Sequence, residues 1–317
     1  MSLGITVPLG QSLHEHAEVL RALYDGGYTD FWSSETAELD AFTPLAYAAA
    51  VLPEARFGTA IASVFTRGPA LLAMSAAAVA ETAPGRFTLG IGASSPAIAQ
   101  RWNAVPYEKP FSRVRDTLRF LRPALAGERI DESYDTFQVK GFRLERPVSP
   151  SLPIVVGALR ERMLGLAGAE GDGAVLNWLS ASDVAKAAPV VGAGKQLVAR
   201  IFVCVSENAD LVRSVAKRLI TGYLTVPAYA EFQRWLGRDE ALSPMWTAWA
   251  AGDRKAALAA VPDHVVDELV VHGSPEECAA HVRRYADAGI TTPVIKFLPL
   301  DPSRELAEDV LALAAAY

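Results

Sequence analysis

The chain has 317 residues, 51% of them hydrophobic and 21% charged, with a formal net charge of −6. That length is ample for a large core. An acidic balance without any block of like charge argues against a nucleic-acid partner, whose phosphates demand clustered Lys and Arg. Cys204 and Cys278 lie far apart and match no metal or redox spacing, so a disulfide framework is not expected. The start, MSLGITVPLG, lacks a basic region leading into a long apolar run. The alanine-rich stretches are too short and interrupted to span a membrane. A cytoplasmic protein with no membrane partner is the expectation.

In chain order, residues 3–7 read as a first strand. A helix over 12–24 follows, with Leu13, Ala17, Leu20 and Tyr24 on one face, and Gly26 and Gly27 stop it. Strand two is TDFWS (29–33), leading into a loop that begins Ser34-Glu35-Thr36. A helix over 44–51 precedes strand three at 57–62. The helix over 69–83 opens on Pro69, where no N–H is needed, and Pro84-Gly85 ends it. Strand four is 87–91. Two apolar strands joined by such a helix make a βαβ unit, and such units make parallel sheets. Helices over 97–102 and 111–126 come next, the second striped by Val114, Leu118, Leu121 and Leu125.

The rhythm breaks at TFQVKGFRLE (136–145), which alternates around Gly141 like a β-hairpin, an insertion of about 133–146. It resumes with strand five, LPIVVG (152–157), a helix over 159–169, strand six, GAVLNWL (173–179), a helix over 183–191, and strand seven, LVARIFVCV (197–205). Residues 208–262 read as a helical insertion with no clear strand, carrying Tyr223, Tyr229, Phe232, Trp235, Trp246 and Trp249. These aromatics suit a lid over an apolar pocket, or else a self-packed helical unit or a dimer contact. A helix over 275–287, strand eight (PVIKFLP, 293–299) and a last helix from Arg304 close the chain. Eight strand–helix pairs across 1–317 predict one (β/α)₈ barrel domain rather than an open doubly wound sheet.

In such a barrel the site forms at the carboxyl ends of the strands. Glu35 follows strand two and suits a hydrogen bond to a ligand or a proton-holding role, against a capping or surface role. GIGAS (90–94) lacks the third glycine and the later acid of a dinucleotide fingerprint. Its small residues would instead let a flat ring lie on the backbone. In VVGALRERM (155–163), Gly157 and Ala158 open a helix whose free N–H groups suit a phosphate, with Arg160 or Arg162 adding charge; a plain turn is the alternative. Asn177 and Trp178 end strand six at the same mouth. His14, His16, His264, His272 and His281 show no metal spacing and read as surface or structural. No metal is expected, no nucleophile elbow surrounds Ser94-Ser95, and the chemistry points to an organic cofactor.

With these residues in hand, the chain resembles the bacterial luciferase-like superfamily and, within it, the actinobacterial coenzyme F420-dependent oxidoreductases. The resemblance rests on GYTDFWSSE (27–35), the FTP of 42–44, GTAIASVFTRGPALLAMSAAAVAE (58–81), and APGRFTLGIGASSP (83–96). RWN (101–103), PFSRVRDTLRFLR (110–122), GFRLERP (141–147), GDGAVLNWLS (171–180) and AGITTPVIKFLP (288–299) complete an ordered series along essentially the whole chain. It implies a ring across the carboxyl mouth and a non-prolyl cis peptide at the end of strand three, here Ala60-Ile61, bulging against the ring. It also implies cofactor contacts from Glu35, Ala62, Ser63, Gly92, Ala93 and Asn177, and a phosphate held by Gly157, Ala158, Leu159 and Arg160; a homodimer is a separate expectation.

Two departures narrow the activity. Members that oxidise sugar phosphates carry His where this chain has Thr36 and a catalytic Glu where it has Ser95, so that activity is not expected. The resemblance implies hydride transfer between F420 and a small-molecule substrate, with Glu35 as the acidic residue beside the ring. An FMN-dependent monooxygenase and a flavin- or deazaflavin-binding protein without turnover are the alternatives.

Overall fold

The computed structural model describes residues 2–9, 12–300 and 306–317. Its centre is a set of eight strands: β1 Gly4–Thr6, β2 Asp30–Ser33, β3 Arg56–Thr59, β4 Phe87–Gly92, β5 Ile154–Gly157, β6 Gly173–Asn177, β7 Gln196–Val205 and β8 Thr292–Phe297. Each pairs in parallel with the next, and β8 pairs with β1, so the sheet closes into a (β/α)₈ barrel. Helices Thr43–Val51, Pro69–Thr82, Pro110–Leu125, Glu161–Ala169, Val184–Val191 and Pro275–Asp287 pack outside it. Ser274 caps the last of these in a reciprocal box with Glu277. Arg304, the expected start of the final helix, lies outside the described residues; that helix is seen over Leu306–Ala316. Among the described residues no helix is long and apolar enough to cross a membrane.

Side-chain alternation decides what fills the barrel. Trp32, Val155, Val175, Val198 and Val294 meet on the inside as one buried cluster. The Trp32 ring lies against Gly58 so closely that an added Cβ there would fall 2.3 Å from it. Counting two residues onward from the inward Val175, Val198 and Val294 puts Asn177, Arg200 and Lys296 on the same inner wall, nearer the carboxyl end.

Two elements differ from the sequence reading. The hairpin pairs Ile130–Ser133 with Gln138–Phe142 and turns at 134–137. Gly141 stands inside its second strand with a positive φ of 69° instead of at the turn. The helical insertion runs as Ala209–Leu224, Pro227–Leu236, Asp239–Ala250, Arg254–Ala259 and Asp263–Leu269, and then a strand follows, Val270–Gly273. It pairs in parallel with the last residues of β7, Phe202–Val205.

Candidate active site

The mouth is shaped first by the end of β3. Pairing with β4 stops after Gly58, and the Thr59 side chain then substitutes for the ladder: its Oγ1 donates to the Gly90 carbonyl at 2.7 Å and accepts the Gly90 N–H at 2.8 Å. The Ala60-Ile61 bond that follows is cis and non-prolyl. The Ala60 N–H donates to the Ser33 carbonyl and the Glu35 N–H to the Ile61 carbonyl. The chain then rejoins the sheet at Ala62–Ser63 beside Ile91 and Gly92.

Ile61 lies across the ends of β4 and β5. A Cβ on Gly92 would come 2.9 Å from Ile61 Cγ1, and one on Gly157 would come 3.1 Å from Ile61 Cγ2. These glycines therefore make room for the isoleucine, and the surface that faces the mouth is Ala60 and Ile61, both half-buried. This corrects the expectation of a ring resting on glycine backbone. Ala62 and Ser63 are completely buried. The Ser63 hydroxyl accepts the N–H groups of Phe65 and Thr66, so it folds the turn and does not line the mouth.

Glu35 is fully engaged. Its Oε2 accepts the Ser63 N–H at 2.9 Å, and its Oε1 accepts Arg67 Nε at 2.8 Å. Arg67 also donates to Asp40 at 3.2 Å and lies over the Phe42 ring. Such a carboxylate holds the β2 and β3 loops together through an ion pair and a backbone hydrogen bond.

On β5, the Ala158 N–H is spent on the Val175 carbonyl at 3.0 Å, because the β5–β6 pairing extends one residue past the strand. The amides available to an anion are thus those of the following helix, Glu161–Ala169, whose first turn carries Glu161. Leu159 is half-buried. Arg160 is exposed and faces Glu231 at 3.6 Å, and Arg162 lies over the Phe111 ring at 3.9 Å.

The opposite wall is polar. Asn177 Nδ2 donates to Tyr229 Oη at 3.1 Å, while its Oδ1 is buried without a partner. Trp178, at a positive φ of 59°, swings off the strand end to stack on Phe202 at 4.0 Å and to meet Tyr223. Gln233 donates to the Trp178 carbonyl, and Arg238 reaches Asp183, Ser180, Glu268 and Gln233, docking the insertion on the barrel. Tyr223 and Tyr229 face the mouth. Trp235, Trp246 and Trp249 lie instead under Lys186, Arg234 and Arg254. A small recess of about 10 Å³ at the ends of β1, β2 and β8 is lined by Thr6, Ser34, Thr36, Glu38 and Lys296 among others.

The luciferase-like monooxygenase family model matches residues 1–292. The chain belongs to that family. A 5,10-methylenetetrahydromethanopterin reductase of Methanolobus tindarius is 24% identical over 97% of both chains. The coenzyme F420-dependent tetrahydromethanopterin reductase of Methanopyrus kandleri has the same fold at a TM-score of 0.78 and 17% identity, covering 99% of this chain and 97% of that one. The FMN-bound oxygenating constituent of 3,6-diketocamphane monooxygenase from Pseudomonas putida superposes at a TM-score of 0.67 and 17% identity, covering 99% and 97%.

Within this luciferase-like barrel, the predicted residues fall into two groups. Ala60, Ile61, Ala93 and Asn177 reach the mouth with Gly92 and Gly157 beneath Ile61, and Glu35, Leu159 and Arg160 lie on the loops around it, while Ala62, Ser63 and Ala158 are drawn into the framework behind it. Sequence reasoning missed Arg200 and Lys296, and placed Tyr229 only among the aromatics of a lid or a self-packed helical unit. A signal existed for the two cations: each is a lone cation inside an otherwise apolar strand, on the inward register. His16, read as surface or structural, is 2% exposed and neither ring nitrogen has a partner; burial holds its pKa below the usual imidazole value.

Proposed function

We propose that this luciferase-like protein is an oxidoreductase that passes hydride between coenzyme F420 and a small organic substrate at the carboxyl mouth of the barrel. One observation carries the reading. Thr6 Oγ1, Trp32 Nε1 and Asn177 Oδ1 are buried at strands that line the barrel without hydrogen-bond partners among the described residues. Left so, such groups cost about 1–3 kcal/mol each. Thr6 and Trp32 stand on adjoining strands and Asn177 four places round from Trp32 on the facing wall, so unspent polar groups border the barrel interior on both sides of a ring laid across it. Across the barrel, Ala60 and Ile61 supply an apolar shelf for a flat ring, and the helix Glu161–Ala169 presents its free amides to an acidic tail. When bound, the deazaflavin supplies the carbon that takes or gives hydride. The protein's part is to orient, to exclude water and to hold the β2 and β3 loops through Glu35.

FMN is the rival occupant, since the FMN-bound neighbour shares the fold. Titrating the full chain with F420 and FMN, followed by their fluorescence, separates the two. F420 is expected to bind tighter by about tenfold or more, a difference of about 1.4 kcal/mol. FMN tighter by the same factor overturns the deazaflavin reading.

The helix Pro69–Thr82 leaves Leu71 and Met74 about half exposed, one turn apart on a shared face. This apolar patch supports a homodimer contact. Light scattering should read a dimer for the native chain and a monomer for a Leu71→Arg, Met74→Arg double variant; a monomeric native chain removes the idea.

A further inference from the structure

Arg200 and Lys296 interrupt two of the most apolar strands of the barrel. Arg200 is 8% exposed and its Nε has no hydrogen-bond partner; among the described residues neither cation is hydrogen-bonded or ion-paired to a carboxylate. A guanidinium cannot shed its proton in a protein, and the buried Nε–H of Arg200 has no acceptor. Its position is therefore one that an anion would repay.

The surroundings define that anion's carrier. Asn177 is the register neighbour of Arg200 on β6, and Phe202 that of Lys296 on β8. Lys296 feels Arg200 beside it and Glu38 from the β2 loop; burial and Arg200 together hold its pKa below the usual lysine value. The Tyr229 phenol, bonded to Asn177, also lies within the field of Arg200. The Phe202 ring is 5.4 Å from the Arg200 guanidinium carbon and stacks on Trp178. Cation and aromatic wall thus adjoin. In the closed order of strands β7 stands four places from β3 in either direction, so these groups look across the barrel at Ala60 and Ile61. A ring resting on that shelf turns its far face to them.

Resting on the hydride-transfer reading above, we infer that Arg200 and Lys296 grip the carboxylate of the substrate, which is accordingly a small aromatic or otherwise apolar carboxylic acid. The carboxylate is a handle and undergoes no change in bonding. It lies over the exposed face of the ring while Phe202 and Tyr223 enclose the apolar remainder.

The test uses the full chain, calorimetry, and benzoate and cinnamate as probes beside benzamide and cinnamamide, before and after saturation with F420. The acids are expected to bind about tenfold or more tightly than the amides. Arg200→Gln and Lys296→Gln should each weaken benzoate by about tenfold or more while shifting the F420 dissociation constant by less than about threefold. Arg200→Lys, which keeps the charge, should recover part of the benzoate affinity and serves as the check that the fold survives. Equal binding of acid and amide overturns the inference. So does a loss of F420 affinity in Arg200→Gln as large as the loss for benzoate, because the anion would then be the cofactor's own. If F420 fails to bind the native chain while acids still outbind amides, the cofactor reading falls and the carboxylate site stands.

Discussion

Gly90→Ala should lower the unfolding free energy by about 3 kcal/mol or more, read as the urea midpoint by far-ultraviolet circular dichroism. An added Cβ would sit 1.9 Å from the Thr59 carbonyl oxygen, a backbone atom that cannot rotate away. Relief requires β3 and β4 to separate just where the Thr59 hydroxyl already replaces the ladder. Gly165→Ala, inside the helix Glu161–Ala169, is the control. Nothing lies within 4 Å of a Cβ there, and loss of chain entropy in the unfolded state should stabilise the protein by about 0.5–1 kcal/mol. An unchanged midpoint for Gly90→Ala would mean that the close approach of the two strands is not a constraint. Because Ile61 is seated over Gly92, two residues further along β4, the same variant should also weaken cofactor binding.

Glu35→Ala should weaken cofactor binding by about tenfold and destabilise the fold by about 2–3 kcal/mol. The side chains of Glu35 and Arg67 are 14% and 16% exposed, so removing the carboxylate strands a largely buried cation with only Asp40 to meet it. It also frees the Ser63 N–H, just past the Ala60-Ile61 shelf. Glu35→Gln keeps an oxygen for Ser63 and should fall between native and Ala in both affinity and stability. That pattern marks a positioning residue. If Glu35 instead moved a proton, Glu35→Gln would bind cofactor as the native chain does and yet fail to turn over. Fluorescence titration beside single-turnover bleaching of the bound chromophore distinguishes the outcomes.

The barrel was legible because its strands are short apolar runs separated by helices with strong punctuation, such as Pro69 and the Ser274 capping box. Val270–Gly273 was not legible. Four residues that continue the apolar face of Asp263–Leu269 carry no period of their own, and only pairing with β7 makes them a strand. Gly141 drew the hairpin turn to itself because glycine marks turns more often than a left-handed residue within a strand. At the site, loop residues at strand ends carry the visible signals, and strand interiors carry few. Ala62, Ser63 and Ala158 carry such a strand-end signal, but hydrogen bonds and strand pairing draw them behind the mouth. Arg200 and Lys296 were passed over although their charge in an apolar register is visible in the letters alone. Tyr229 carries no such mark; it reaches Asn177 only because Gln233 and Arg238 dock its helix on the end of β6.

The ten residues of β7 do more than close the barrel. Their first half borders β6, their middle borders β8, and their end takes Val270–Gly273 as a further neighbour. The long excursion that leaves at Val205 thus comes home to the very strand it departed, re-entering at Val270 beside Phe202, three residues before the point of departure. It is a pouch drawn shut at the neck. A push on its outer helices has a short mechanical route to Arg200 and Phe202, on the strand that forms the drawstring, and changes of length within the pouch leave the barrel's closure untouched.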